Sequence, residues 1–241
     1  MKNYLSFGGG VNSVAMYLLL LDQGMVPGDP DKGFEAVFVD HGTDWPETYE
    51  YVEMFKSRYP MTVLKPDEQG CSTLYDYCEK FKILPSRINR WCTDKFKVRV
   101  MGKYYKKPCF TMLGIDNGES HRAKISTNKG VELRYPLIEA EINRELCKKL
   151  IKKHGLSVPI KSGCYICPFQ KVSGFKQLRR THPELFCRAE KLESLNNDFR
   201  KSIGKEPFGI IGRGISLKSI VGENQSKLWA EDEYPPCECM L

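Results

Sequence analysis

Apolar residues in the first half of the chain fall into short runs separated by longer amphipathic stretches. The runs predict strands at Lys2–Phe7, Phe34–Val39, Met61–Leu64 and Phe110–Gly114. The stretches between them predict helices at Ser13–Asp22, Pro46–Arg58, Ser72–Phe81 and Thr93–Tyr105. The second run, FEAVFV, is almost continuously apolar, as is typical of a strand buried on both faces. Strands that alternate with helices predict an α/β fold with a doubly wound, mostly parallel sheet.

The pattern changes in the second half. Helical periodicity at Glu141–His154 and Pro183–Phe199 is interrupted by the segment Gly163–Pro168, and little periodicity remains beyond Gly204. We therefore expect a nucleotide-binding domain at residues 1–158 and a small helical region at 159–241 that carries several cysteines. Residues 1–100 hold 12 basic and 14 acidic residues, or −2, so the remaining 25 basic and 16 acidic residues give 101–241 a charge of +9. Such a surface suits phosphorylated ligands or nucleic acid, although a solvated lysine-rich surface has the same charge.

Composition narrows the class of protein. Apolar residues are 41% and charged residues 28% of the 241-residue chain, as in ordinary globular proteins. The apolar stretch at residues 14–21 is too short to span a bilayer, and no signal peptide is evident, so we expect a cytoplasmic protein without a membrane partner. Ten cysteines in such a chain favour metal or redox chemistry over a disulfide framework. Five scattered cysteines are expected to be small buried apolar residues: Cys71, Cys78, Cys109, Cys147 and Cys187.

A glycine-rich loop lies between the first predicted strand and the first helix. Its sequence from Ser6 to Ser13 is SFGGGVNS. Three consecutive glycines allow a tight turn and a close approach to a ligand, and a following helix presents free N–H groups to an anion. The candidate phosphate ligands are Ser6, Gly8, Gly9, Gly10, Asn12 and Ser13. Asn12 or Ser13 is also expected to cap the helix.

Three more polar segments are expected at the same edge of the sheet. In a doubly wound sheet, ligands bind beyond the carboxyl ends of the strands. The segments are DHGTDWPET from Asp40, RWCT from Arg90, and GIDNGESHR from Gly114 to Arg122. Asp40 and Gly114 are candidates to border a nucleotide, and the forked guanidinium groups of Arg90 and Arg122 suit phosphate or sulfate.

Four of these motifs together resemble a known family. SFGGGVNS is similar to the PP-loop of ATP pyrophosphatases and sulfonucleotide reductases, and VDHGTDWPETYEYV, RWCTDKFKV and LGIDNGESHR resemble further motifs of that group in the same order. The resemblance covers residues 4–136 and implies a parallel sheet of about five strands that binds an adenine nucleotide. Asn12 stands where the pyrophosphatases usually have aspartate, and an amide is a weaker Mg²⁺ ligand than a carboxylate. This departure favours the sulfonucleotide reductases, which have a similar loop but do not need to hydrolyse ATP.

The cysteines offer two sets of metal ligands. Cys164 and Cys167 form a CxxC, and Cys237 and Cys239 form a CxC. These four thiolates suit tetrahedral zinc. The resemblance to adenosine-phosphosulfate reductases implies instead a [4Fe-4S] cluster held by Cys92, Cys164, Cys167 and one tail cysteine, and we favour the cluster.

These observations support three hypotheses about function. The first is reductive sulfur chemistry on phosphoadenosine phosphosulfate (PAPS) or adenosine phosphosulfate (APS). Glu238–Leu241 loosely resembles the reductase tail, which implies that Cys239 attacks sulfur and that a thioredoxin-like protein regenerates the enzyme; Cys92 is a second catalytic candidate. The second hypothesis is a Dnd-type ATP pyrophosphatase that activates a nucleic acid for sulfur transfer, with Mg²⁺. The third is a non-catalytic nucleotide- or nucleic-acid-binding module with structural zinc.

Overall fold

The fold is built on one parallel sheet. The computed structural model describes residues 1–126, 128–160, 162–212 and 215–222. Five parallel strands lie in the order β3-β2-β1-β4-β5. Their bounds are β1 Lys2–Phe7, β2 Glu35–Val39, β3 Thr62–Leu64, β4 Cys109–Leu113 and β5 Val131–Arg134. The predicted α/β, doubly wound fold is confirmed, and four of its strands were predicted within about two residues, which is the usual uncertainty of strand boundaries.

Helices cover both faces of this sheet. Their bounds are α1 Val11–Asp22, α2 Pro46–Lys56, α3 Leu74–Phe81, α4 Trp91–Thr93, α5 Arg99–Tyr104, α6 Pro136–Glu139, α7 Arg144–Lys153, α8 Val172–Thr181, α9 Pro183–Ser202 and α10 Leu217–Gly222. A π-helical turn at Asp94–Val98 joins α4 to α5, so the helix predicted from Thr93 begins two residues earlier. A 3₁₀ helix occupies Asn117–Arg122. Helices α6, α8 and α10 were not predicted.

Two predicted helix starts are wrong. The cap of α1 is Gly10, and Asn12 and Ser13 lie inside the first turn with their side chains bonded elsewhere. Helix α7 begins at Arg144 instead of Glu141 because the Asn143 side chain accepts a hydrogen bond from the Leu146 N–H at 3.0 Å. Asparagine is strongly preferred at the N-cap, the residue just before the first residue of a helix.

The apolar interior consists of two large clusters. The first packs α1, α2 and α7 around β1 and β2, with Tyr17, Phe34 and Phe55 fully buried. The second joins α3 and Phe96 to the CxxC segment, α8, α9 and α10. This second cluster contains residues from both sides of the boundary predicted near residue 158. The C-terminal helices therefore pack against α3 and Phe96, which lie between β3 and β4 in the chain.

The scattered cysteines follow the expectation with one exception. Cys71, Cys78, Cys109 and Cys147 are buried, but Cys187 is exposed on α9. The prediction for Cys187 is wrong because its position faces away from the stripe of α9 that holds Phe186 and Ala189 against the second cluster. Among the described residues, no helix combines the length and apolar character needed to cross a membrane.

Candidate functional site

The glycine loop closes on itself at the start of α1. The Gly8 N–H donates to Ser13 Oγ at 3.2 Å, and this hydroxyl donates to the Gly10 carbonyl at 3.0 Å. Gly9 has φ +70°, and a Cβ there would lie 3.0 Å from methyl groups of Thr48 and Val52. Glycine is therefore required both by the backbone conformation and by the packing of α2.

This loop lies at the point where the sheet changes winding direction. β1 pairs with β2 on one side and with β4 on the other, and in doubly wound sheets ligands bind in the crevice at this point, beyond the carboxyl ends of the strands. Gly114 follows β4 directly, and a Cβ there would lie 3.0 Å from the Ser13 nitrogen and 3.1 Å from the Asn12 carbonyl carbon. The two backbones touch, which fixes the start of α1 against the end of β4.

Asn12 belongs to a network of polar side chains beside the loop. Its side-chain nitrogen donates to Asp116 Oδ2 at 2.9 Å, and its oxygen accepts from Arg144 at 3.1 Å. Asn12 and Asp116 are buried, and Asp116 also accepts from the Gly118 N–H at 2.9 Å. The loop after β4 thus places a carboxylate beside Asn12, whose own side chain is an uncharged amide.

The CxxC segment begins against the glycine loop. The Ser162 side chain lies so close to Gly10 that a Cβ on that glycine would be 2.3 Å from its hydroxyl. The chain then pairs with the loop after β2: Trp45 N–H donates to the Gly163 carbonyl at 3.1 Å, and Tyr165 N–H to the Thr43 carbonyl at 2.9 Å. The CxxC is therefore held at the carboxyl edge of the sheet.

Three metal-binding side chains converge where these segments pair. His41 Nε2 lies 3.6 Å from Cys164 Sγ and 3.4 Å from Asp44 Oδ2, and all three residues are buried. The other ring nitrogen of His41 is 2.8 Å from Thr43 Oγ1. Burial lowers the pKa of His41, an effect that Asp44 opposes and Lys97 reinforces.

A pocket beside this group is lined by three thiols. Cys92 from α4 and Cys164 and Cys167 from the CxxC share its wall with Arg90 and Phe169. Burial raises the pKa of the Cys92 thiol, although Thr93 and Lys97 act in the opposite direction. The three cysteines that the cluster hypothesis takes from the body of the protein thus face one space.

The other predicted residues lie at separate points of the fold. Arg90 has a left-handed backbone, φ 46°, and its guanidinium lies over the Phe169 ring at the thiol pocket. Arg122 pairs with Glu119 at 2.8 Å after β4. Ser6 is buried in β1 with its hydroxyl 3.6 Å from Met101 Sδ, and Asp40 accepts from the Gly42 N–H at 3.0 Å. Cys237 and Cys239 lie outside the described residues.

Sequence reasoning missed four residues of this edge. His41 lies in a predicted pocket loop, where its sequence indicates a nucleotide contact and no metal. Asp44 and Asp116 lie in the predicted segments without an assigned role, and Arg144 lies outside those segments. The spacing of His41 and Asp44 in DHGTD is a signal that could have found that pair, since one turn brings them together. Arg144 comes from α7, 132 residues beyond Asn12, and nothing in its local sequence indicates the contact.

The fold and the glycine loop define an α/β protein of the PP-loop superfamily. The chain belongs to the phosphoadenosine phosphosulfate reductase domain family, whose model matches residues 2–132. It is 24% identical over 220 residues to an uncharacterized protein of Methanocaldococcus jannaschii, an alignment that covers 81% of this chain. The chain spans 41% of the length of that curated relative.

Two solved structures are also similar. A phosphoadenylyl-sulfate (PAPS) reductase from Candida auris in complex with phosphate has a TM-score of 0.49 at 18% identity, covering 66% of this chain and 75% of the other. The U34-tRNA thiolase NcsA from Methanococcus maripaludis with its [4Fe-4S] cluster has a TM-score of 0.42 at 14% identity, covering 95% of this chain and 82% of the other.

Proposed function

We propose that this protein is an enzyme that binds an adenine sulfonucleotide, PAPS or APS, at its glycine loop and performs thiol-dependent reductive chemistry on it. The observation that carries the proposal is the position of Ser162. Its side chain lies against Gly10, and two residues later the chain reaches Cys164 and the thiol pocket. Membership in the PAPS reductase domain family supports the same chemistry.

The nucleotide would occupy the crevice between β1 and β4. The glycine loop and the first turn of α1, with Ser6 and Ser13 shaping it, would hold a phosphate or sulfate through backbone N–H groups. Asp40 and Gly114 would border the adenosine. Arg90, at the thiol pocket, and Arg122 would bind the anionic groups.

The chemistry requires one thiol of this protein and two thiols of a reductant, and the nucleotide changes only by the loss of its sulfonate. A cysteine thiolate attacks the sulfur of the sulfonucleotide, the sulfur–oxygen bond to the phosphate breaks, and the nucleotide leaves with that electron pair. The resulting thiosulfonate is attacked at its cysteine sulfur by one thiol of a reduced thioredoxin-like protein, so that sulfite leaves and a mixed disulfide forms. The second thiol of that protein then attacks the mixed disulfide, which frees the enzyme's cysteine and leaves the thioredoxin-like protein oxidised. We assign the attack to Cys239, with Cys92 as the second candidate. Burial raises the pKa of Cys92, and the nearby cation Lys97 opposes this effect, so ionisation of that thiol would depend on cationic groups at the pocket.

Sulfite release tests this assignment. The protein with PAPS or APS and reduced thioredoxin is expected to release sulfite, and Cys239→Ser is expected to reduce the rate to background because the attacking thiol is gone. Cys187→Ser is the matched control, since Cys187 is exposed on α9 away from the pocket. Absence of sulfite from both nucleotides with the unmodified protein would rule out the reductase function.

A metal centre anchored on Cys164 completes the proposal. Cys92, Cys164 and Cys167 line one pocket, which fits a [4Fe-4S] cluster shared with one tail cysteine. The alternative is zinc bound by Cys164, Cys167, Cys237 and Cys239, which leaves Cys92 as a thiol near the nucleotide. A cluster would supply an electron-transfer or Lewis-acid group, and zinc would order the pocket wall.

One observation favours a second function, ATP pyrophosphatase activity. Asp116 lies 2.9 Å from the Asn12 amide beside the glycine loop and supplies the carboxylate that Mg²⁺ would need. A nucleic-acid acceptor would then approach over the basic C-terminal helices. A protein that binds nucleotide but turns over neither substrate would instead be a binding module with structural zinc.

The pyrophosphatase function makes a distinct prediction for Asp116. Asp116→Asn is expected to slow Mg²⁺-dependent release of pyrophosphate from ATP by about 10–100-fold, the usual effect of weakening a metal site. The amide keeps the shape of the side chain, so ATP affinity measured without Mg²⁺ should change little. Equal pyrophosphate release by both proteins would show that Asp116 holds no catalytic Mg²⁺.

A further inference from the structure

We propose that His41, Asp44 and Cys164 form a binding site for one divalent metal ion of the zinc class, with an imidazole, a carboxylate and a thiolate as ligands. This inference rests on the proposed metal centre at Cys164. It develops the zinc alternative with two ligands that the cysteine pattern does not contain.

The distances match the edges of a tetrahedral zinc site. Zinc–ligand bonds of about 2.0–2.1 Å to nitrogen, 2.3 Å to sulfur and 2.0–2.2 Å to oxygen give ligand separations of roughly 3.5 Å for N···S and 3.4 Å for N···O. His41 Nε2 lies 3.6 Å from Cys164 Sγ and 3.4 Å from Asp44 Oδ2. All three ligand atoms lie within 4.8 Å of one another. The separation of His41 Nε2 from Asp44 Oδ2 is longer than an ordinary N–H···O bond, and both separations are compatible with a shared ion.

The ligands are held in place by groups outside the site. Thr43 Oγ1 contacts His41 Nδ1 at 2.8 Å, which orients the ring so that Nε2 faces Cys164 and Asp44. Metal-binding histidines usually have such a partner on the second nitrogen. The backbones of Asp44 and Cys164 are paired in an isolated antiparallel bridge, so these two ligands lie on adjacent segments that are hydrogen-bonded to each other.

Charge also favours a cation. Asp44 is 5% and His41 1% exposed, and a carboxylate this buried needs a compensating partner. The imidazole of a metal ligand is neutral, so it would not supply that charge. A divalent ion bound by one carboxylate, one thiolate and one imidazole gives a neutral group, which a buried position tolerates.

The site would connect the sheet edge to the thiol pocket. Cys164 belongs to both, because it also lines the pocket with Cys92 and Cys167. Within the part of the chain that the structure describes, three side chains converge on the site, which is the number of protein ligands in catalytic zinc sites with one open position. A sulfur-containing or anionic group of the substrate is the kind of ligand that such a position accepts.

Metal content and Co²⁺ binding test the site in the 241-residue chain. We expect about one zinc per chain after anaerobic purification, as for a single mononuclear site. The chelator-treated protein should bind Co²⁺ with the visible bands of a tetrahedral ion and a thiolate charge-transfer band. His41→Gln, Asp44→Asn and Cys164→Ser should each weaken Co²⁺ binding by more than the roughly 10–100-fold loss typical of changes around a metal site. Thr43→Val should cause a loss within that range.

Two variants serve as controls, and nucleotide affinity reports that each variant is folded. Cys187→Ser should leave Co²⁺ binding unchanged, and so should Cys92→Ser, which a [4Fe-4S] cluster would not tolerate. About four irons per chain, retained in His41→Gln and Asp44→Asn, would overturn the inference, as would Co²⁺ affinity that these variants and Thr43→Val do not change. Each of those results would leave the proposed function standing if nucleotide binding and sulfite release persist. If the unmodified protein neither binds nucleotide nor releases sulfite, the proposed function is refuted, whatever the metal measurements show.

Discussion

Replacing Gly114 by alanine is expected to lower the affinity for adenine nucleotide by about tenfold, because overpacking of a close contact costs about 1–3 kcal/mol and the backbone must shift by a few tenths of an ångström. A Cβ at residue 114 would lie 3.0 Å from the Ser13 nitrogen and 3.1 Å from the Asn12 carbonyl carbon. Both are backbone atoms of the first turn of α1 and cannot rotate away. The turn must therefore move, and with it the N–H groups that would hold the phosphate. Calorimetric titration with an adenine nucleotide measures the effect.

Gly102→Ala is the matched control for this substitution. Gly102 lies in α5, and a Cβ there would meet nothing within 4 Å. Alanine should stabilise that helix by up to about 1 kcal/mol and leave nucleotide affinity unchanged. If Gly114→Ala binds nucleotide as tightly as the unmodified protein, the crevice between β1 and β4 is not the nucleotide site, and the role assigned to the glycine loop is wrong.

The sheet was predictable because its strands carry strong local signals. β2 is a continuous apolar run, and β1 ends directly at three glycines, so both were placed within one residue. β5 has no counterpart among the predicted strands. It is an edge strand whose exposed positions are Glu132 and Arg134, so its sequence resembles that of a loop. Helix α8 was missed because it follows a turn directly and has only a narrow apolar stripe, at Phe175 and Leu178.

The candidate site was predictable in its parts and not in its assembly. The glycine loop and the CxxC are visible as motifs, whereas the pocket that Cys92 shares with Cys164 and Cys167 becomes visible only in the structure. The contact between Ser162 and Gly10 joins residues 152 positions apart and has no local signal. The pairing of Asp44 with Cys164 has no local signal either, and it places His41 beside the Cys164 thiol.

The position of Asp116 changes how the loop sequence is interpreted. Asparagine at residue 12 suggested that a carboxylate was missing from the nucleotide site. The structure places Asp116 against that amide, and Arg144 against its oxygen, so the charge comes from a different loop. Asparagine at residue 12 is therefore no evidence by itself that this part of the protein has no carboxylate.

A second large effect is expected at Glu193, a buried carboxylate of α9. Its two oxygens accept hydrogen bonds from the Ile210 and Leu217 N–H groups, each at 2.8 Å. Glu193→Ala would leave both buried donors without an acceptor, at about 1–3 kcal/mol each, so we expect a loss of about 2–4 kcal/mol in the free energy of unfolding. Urea denaturation measures the loss, and Asp198→Ala, an exposed acid on the same helix, should change the midpoint little.

The isosteric variant separates the role of hydrogen bonding from that of packing. Glu193→Gln keeps the volume of the side chain and one acceptor oxygen, but its amide nitrogen would face a backbone N–H. It should therefore fall between the unmodified protein and Glu193→Ala, whereas a purely steric role would make glutamine harmless. Because residues 209–217 lead toward the segment that carries Cys237 and Cys239, sulfite release by Glu193→Gln should fall along with stability. Full activity in a destabilised variant would show that the tail cysteines act without support from α9.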